Sequence, residues 1–158
     1  RDKDAVSASM LIVEMAAFYA KQGKTLYDVL CGIFEEYGYF IEGVQNASFP
    51  GVDGAENMKK LMENLRTNAP TELAGQKVSA VEDYLASERK FTDGKTEEID
   101  LPKSNVLCFI TECGDKIFVR PSGTEPKVKF YYLVSGDSEK ASLDKIDAYK
   151  NAVSLLLK

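Results

Sequence analysis

A chain of 158 residues has room for one well-cored domain, but it holds no histidine, which removes His-based triads, His-ligated metals and imidazole proton shuttles. Its formal net charge of −5 argues against a nucleic-acid role, since phosphate backbones are held by extended basic surfaces. Cys31, Cys108 and Cys113 form no CxxC pattern, so neither a disulfide framework nor a zinc site is indicated, and each is read as a small hydrophobe in apolar surroundings.

Residues 4 to 21 place Val6, Met10, Val13, Ala17 and Ala20 at helical spacing, with Leu11, Ile12 and Met15 on neighbouring faces; the pattern predicts a largely buried helix. The segment is too short and too interrupted to span a bilayer, and no secretory leader pattern is present. A soluble, cytoplasmic protein with no membrane partner is expected. After Gly23, Thr25 followed by Asp28 predicts the N-cap of a second helix, whose apolar face is Leu26, Val29, Leu30, Ile33 and Phe34 and whose end lies near Gly38. From Tyr39 the pattern becomes short extended runs; Pro50, Gly51 and Gly54 then break the chain before a helix over 55–67 that carries Met58, Leu61, Met62 and Leu65. A boundary near residue 40 divides the chain into 1–40 and 41–158.

Val78 to Tyr84 reads as a strand, and the polar stretch up to Glu98 as a solvated loop or hairpin. Glu82 and Asp83 are strand neighbours and so face opposite ways. That suits solvated or capping roles, not a pair of catalytic carboxylates. Residues 104–111, 116–120 and 128–135 are rich in Val, Ile, Phe and Tyr and predict a three-stranded antiparallel meander, its first turn at Gly114-Asp115. Tyr131 and Tyr132 are read as packing, one on each face, in preference to stacking on a sugar. Asp137 or Ser138 caps a last helix whose Ile146, Tyr149, Val153 and Leu156 form the face toward the sheet. The second part is therefore α+β, an antiparallel sheet flanked by helices.

Between the second and third meander strands runs Arg120-Pro121-Ser122-Gly123-Thr124-Glu125-Pro126-Lys127. A phosphate monoester needs converging donors and at least one permanent cation. Arg120 supplies a planar fork that stays charged and can bind two oxygens at once. Ser122 and Thr124 add hydroxyls, and Gly123 is expected to take a positive φ that turns successive N–H groups into one anion-binding concavity. Pro121 and Pro126 stiffen the turn. Lys127 adds a point charge if it faces the loop and nothing if it faces solvent. Strand ladders clamp both ends, so the donors are held with little slack.

This string, with the Val-Lys-Phe-Tyr-Tyr that follows it, resembles the phosphate-binding loop in the C-terminal domain of the α-D-phosphohexomutases, the phosphoglucomutase and phosphomannomutase superfamily. Arg1-Asp2-Lys3-Asp4-Ala5 and the apolar helix after it resemble the segment that follows these enzymes' sugar-binding loop at the end of their third domain. Acetylglucosamine and glucosamine phosphate mutases share the R-x-SGTE loop, but the continuation and the RDKDA start look more like bacterial phosphoglucomutase/phosphomannomutase.

The resemblance implies a TATA-binding-protein-like fold for 41–158, preceded by two helices left over from the third α/β domain, whose uncovered apolar faces would favour self-association. It implies an isomerase that moves a phosphoryl group between a phosphoserine and a hexose phosphate through a bisphosphate intermediate, with Mg²⁺ and a glucose 1,6-bisphosphate-type activator. Arg120, Ser122, Gly123 and Thr124, with Lys127 as a weaker candidate, would grip the phosphate that is not reacting. Lys3 matches a lysine near the reacting phosphate, a candidate for proton transfer or charge stabilisation; otherwise it is a solvated charge. Motifs resembling the family's nucleophile, metal and sugar loops are not found in this sequence, and a complete four-domain mutase would need roughly three times as many residues. The chain is thus expected to be a C-terminal fragment, inactive alone, whose partners are a hexose phosphate and the missing domains one to three. The alternative is a stand-alone phosphate-binding or interaction module.

Overall fold

The computed structural model describes residues 3–157, which form two compact units divided between Tyr39 and Phe40. The first holds two helices, α1 (Ala5–Ala20) and α2 (Leu26–Tyr37). Asp4 caps α1, its carboxylate accepting the Ser7 N–H at 3.0 Å. In α2 the expected capping box is complete: Thr25 Oγ1 accepts the Asp28 N–H at 3.1 Å while Asp28 accepts the Thr25 N–H at 2.7 Å, which satisfies two of the donors a helix start leaves open. Gly38 ends α2. No residue of α1 is buried, with Val6 74 % and Met10 69 % exposed: the helix is not the largely buried one that its pattern taken by itself predicts, and its apolar faces are uncovered, as the resemblance implies for this chain. Apolar residues all round a helix call for a covering layer, and α2, its neighbour in this unit, leaves most of α1 uncovered.

The second unit is an eight-stranded sheet with two helices. In chain order it contains β1 (Tyr39–Ser48), α3 (Gly54–Thr67), β2 (Glu72–Leu73), β3 (Gln76–Asp83), β4 (Glu88–Phe91), β5 (Thr96–Glu98), β6 (Leu107–Thr111), β7 (Lys116–Pro121), β8 (Lys127–Gly136) and α4 (Glu139–Leu156). The strands lie in the order β1-β8-β7-β6-β3-β4-β5, with β2 paired to β3. The expected meander is β6-β7-β8, antiparallel throughout. Strand alternation sorts the faces. Ile117 and Val119 of β7 and Val128, Phe130, Tyr132 and Val134 of β8 are buried, in one core with Met62 and Leu65 of α3 and Ile146, Tyr149 and Val153 of α4. The in-register partners Phe118–Tyr131 and Arg120–Lys129 lie on the other face.

Three local expectations are corrected. The stretch after Tyr39 is one ten-residue strand, not a series of short runs. The polar segment up to Glu98 takes the hairpin form of the expected loop or hairpin, β4 pairing antiparallel with β5 and β4 also with β3. In α4, capped by Ser138, Leu156 is 41 % exposed while Leu157, four residues on from Val153, continues the face that packs on the core. Glu82 and Asp83 do face opposite ways, but Glu82 is buried rather than solvated, bonded by Arg89 Nε at 2.7 Å and the Tyr84 hydroxyl at 2.8 Å. Asp83 pairs with Arg66 of α3 at 3.1 Å and accepts the Leu85 N–H at 3.0 Å, a capping role.

Candidate functional site

The loop Ser122–Pro126 joins β7 to β8, and backbone bonds close it. The Ser122 N–H donates to Lys127 O and the Lys127 N–H to Glu125 O, both at 2.8 Å. Behind it, the Phe49 N–H donates to Pro126 O at 2.8 Å. Gly54, the first residue of α3, sits so close that a Cβ there would lie 2.0 Å from Phe49 O and 3.1 Å from Pro126 Cβ. The loop is thus braced from behind by a segment that only glycine allows to approach. The expected positive φ at Gly123 is not found, since that residue is absent from the glycines in the left-handed region. The loop closes through the Ser122 and Lys127 amides instead, and a Cβ at Gly123 would meet nothing within 4 Å.

In front of the loop lies a cleft of about 270 Å³ lined by Arg120, Pro121, Ser122, Gly123, Thr124, Lys129 and Tyr131. No carboxylate is among the lining residues. Arg120 and Lys129 stand directly opposite one another across the β7–β8 ladder, and among the described residues neither has an ion-pair partner. Like charges at facing ladder positions repel, and an anion between them is attracted to both and so offsets that repulsion. Ser122 and Thr124 line the same cleft, with the Thr124 N–H 3.4 Å from Ser122 Oγ.

Arg120, Ser122, Gly123 and Thr124 are thus brought together. Lys127 stands apart: its ammonium pairs with the Glu125 carboxylate, which it holds below the ordinary glutamate range by hydrogen bond and charge, and it does not line the cleft. Lys3 is an exposed residue of the first unit, immediately before the Asp4 cap; Arg1 and Asp2 of the RDKDA segment lie outside the described residues. Of the cleft residues, Lys129 escaped the sequence reading, and Tyr131, read there as packing, lines the cleft on the face away from the core. Counting by twos along β8 from Lys127 would have put both on the face of Arg120.

A second polar cluster is structural. The Asp115 side chain is fully enclosed and accepts from the Ser135 N–H at 3.1 Å, the Tyr149 hydroxyl at 3.0 Å, Lys145 Nζ at 3.1 Å and the Cys113 thiol at 3.1 Å. Burial alone would raise its pKa, but the bonds from Ser135, Cys113, Lys145 and Tyr149 together outweigh it and hold the carboxyl below its ordinary value. Cys113 is therefore exposed and polar-bonded, not in apolar surroundings, whereas Cys108 is buried and its thiol pushed up, chiefly by that burial. Among the described residues no group of three or more His, Cys, Asp or Glu is placed to hold a metal ion, and no helix is long and apolar enough to cross a membrane.

Comparison with known proteins shows the family. Residues 62–148 match the family described as phosphoglucomutase/phosphomannomutase, C-terminal domain. Over 146 residues the chain is 41 % identical to a phosphoglucomutase of Staphylococcus haemolyticus, covering 91 % of this chain and 26 % of that protein. With a phosphoglucomutase of Staphylococcus aureus strain MRSA252 it shares 42 % over 132 residues, 83 % of this chain and 24 % of the other. With that of the bovine strain RF122 it shares 41 % over 149 residues, 94 % and 27 %. The chain thus spans about a quarter of the length of these curated relatives.

Proposed function

The chain belongs to the phosphoglucomutase/phosphomannomutase family, and from that premise we propose that it is the phosphate-anchoring end of a larger hexose-phosphate mutase. The carrying observation is the unpaired Arg120–Lys129 couple over a carboxylate-free cleft floored by Ser122 and Thr124. In this reading the whole protein transfers a phosphoryl group between a serine outside this chain and either end of a hexose phosphate, and the cleft holds the phosphate that is not reacting. Arg120 grips two of its oxygens, Lys129 supplies a second positive charge, and Ser122 and Thr124 donate to the remaining oxygens. Binding energy at that distant phosphate orients the reacting end, where effective-molarity gains arise. Crowded donors around a phosphate make few demands on the ring, which suits a sugar that must be held in two orientations.

The magnesium chemistry and bisphosphate activation that the resemblance implies belong, in this proposal, to parts of the protein outside this chain. No step here runs through a metal ion. The helices α1 and α2 are assigned to the end of the preceding domain. Similarity covering 94 % of the chain runs beyond the C-terminal domain into these helices, which supports a piece of a mutase over a free-standing module. The isolated chain is expected to bind phosphate weakly and to turn nothing over.

The test is Arg120→Ala in the full-length protein, assayed on glucose 1-phosphate and mannose 1-phosphate with Mg²⁺ and a bisphosphate activator. Loss of a charged phosphate contact costs about 2–4 kcal/mol, a fall in kcat/KM of roughly 30- to 1,000-fold. A value within a few-fold of wild type overturns the proposal.

A further inference from the structure

The cleft has one aromatic wall, and we infer that this residue, Tyr131, recognises the carbon skeleton attached to the anchored phosphate, so that the site prefers a phosphate ester to free phosphate. The inference rests on the anchor reading above and deepens it. Tyr131 is half-buried and lines the cleft beside Lys129 and Arg120, while its neighbours Phe130 and Tyr132 turn into the core. The other tyrosines of the second unit have engaged hydroxyls: Tyr84 donates to Glu82, Tyr132 to Gln45 and Tyr149 to Asp115. Tyr131 alone of these four makes no side-chain hydrogen bond among the described residues.

Room and chemistry agree. The cleft of about 270 Å³ equals some nine times the ~30 Å³ share of a water molecule, more than the five heavy atoms of a phosphate need. An ester held on Arg120 and Lys129 therefore brings its first carbons into the same space as Tyr131. A flat ring offers an apolar surface without a fixed donor pattern, and a phenolic hydroxyl donates or accepts as required. That combination tolerates a sugar presented from either end, which a set of directional ring-specific hydrogen bonds would not. Backbone pairing to Phe118, its register partner on the same face, fixes the strand position from which the ring enters the cleft.

The experiment uses the full-length protein with Tyr131→Phe, Tyr131→Leu and Tyr131→Ala, each also in an Arg120→Ala background, and measures binding of glucose 1-phosphate and of inorganic phosphate. Tyr131→Ala should weaken glucose 1-phosphate by about 5- to 20-fold and Tyr131→Phe by about 2- to 5-fold, on the scale of one packed ring and one neutral hydrogen bond. Inorganic phosphate should change less than two-fold. Tyr131→Leu, which keeps apolar volume in the strand, should track Tyr131→Ala; it carries the test if the alanine variant unfolds. An equal loss for ester and free phosphate, or no loss for either, overturns the inference while leaving the anchor intact, provided Arg120→Ala weakens both. If Arg120→Ala weakens neither, anchor and inference fall together.

Discussion

Replacing Asp115 by alanine should remove the best-enclosed polar junction of the second unit. Its carboxylate is out of reach of solvent and joins three elements: the turn before β7, the end of β8 through Ser135, and α4 through Lys145 and Tyr149. Truncation leaves the Ser135 N–H without its acceptor and the Tyr149 hydroxyl with the long contact to Cys113 Sγ at 3.9 Å; Tyr149 is only 1 % exposed, so bulk water does not reach it in place of the carboxylate. A buried donor left unsatisfied costs about 1–3 kcal/mol. Lys145 adds less, because its side chain is 33 % exposed, it can rehydrate, and it keeps the bond to Ser135 O at 2.7 Å. The expected loss is about 3–5 kcal/mol, a large part of a typical domain's 5–15, or about 10–20 °C in Tm. Urea unfolding followed by circular dichroism reads it, with Asp115→Asn retaining acceptors and falling between. The pH dependence has a definite sign. The folded carboxyl pKa lies below the ordinary 3.8, so the stabilisation is present above that value and is lost as pH falls through the lower folded one. Asp115→Asn should therefore flatten the acid side of the stability curve. A loss under 1 kcal/mol for Asp115→Ala, or an unchanged acid limb for Asp115→Asn, would refute the reasoning.

Two further outcomes follow from the loop. Lys129→Ala in the full-length protein should weaken inhibition by inorganic phosphate about 10-fold, whereas Lys127→Ala, whose charge Glu125 already neutralises, should stay within about two-fold; the reverse order would transfer the second cation back to Lys127. Gly54→Ala should lower stability by about 3 kcal/mol or more, since its Cβ falls 2.0 Å from Phe49 O and the bracing segment must move. Gly123→Ala, with open space at its Cβ and no positive φ to strain, should leave the melting curve within about 0.5 kcal/mol. Equal melting temperatures for the two glycine variants would sink the bracing argument.

Much of the domain could be read from local signals. Val, Ile and Phe at period two mark β6, β7 and β8, Thr25 with Asp28 marks the start of α2, and the loop's Arg, Ser and Thr mark an anion site, because each is a property of neighbouring residues. Less legible was which residues share that site with Arg120. Lys127 and Lys129 have the same strand parity, so alternation alone cannot choose between them; the β7–β8 register sets Lys129 opposite Arg120 and leaves Lys127 past the end of the ladder, where Glu125 captures it. The same pairing placed Tyr131 in the cleft while Tyr132 went to the core. Burial of Glu82 and Asp115 was likewise invisible, since their partners Arg89, Tyr149 and Lys145 are brought to them by folding. What the amino-acid order determined was the elements and the chemistry of the loop. Tertiary structure decided which charges remain unpaired there, because electrostatic pairing depends on distance through space and a chain's local pattern records only distance along it.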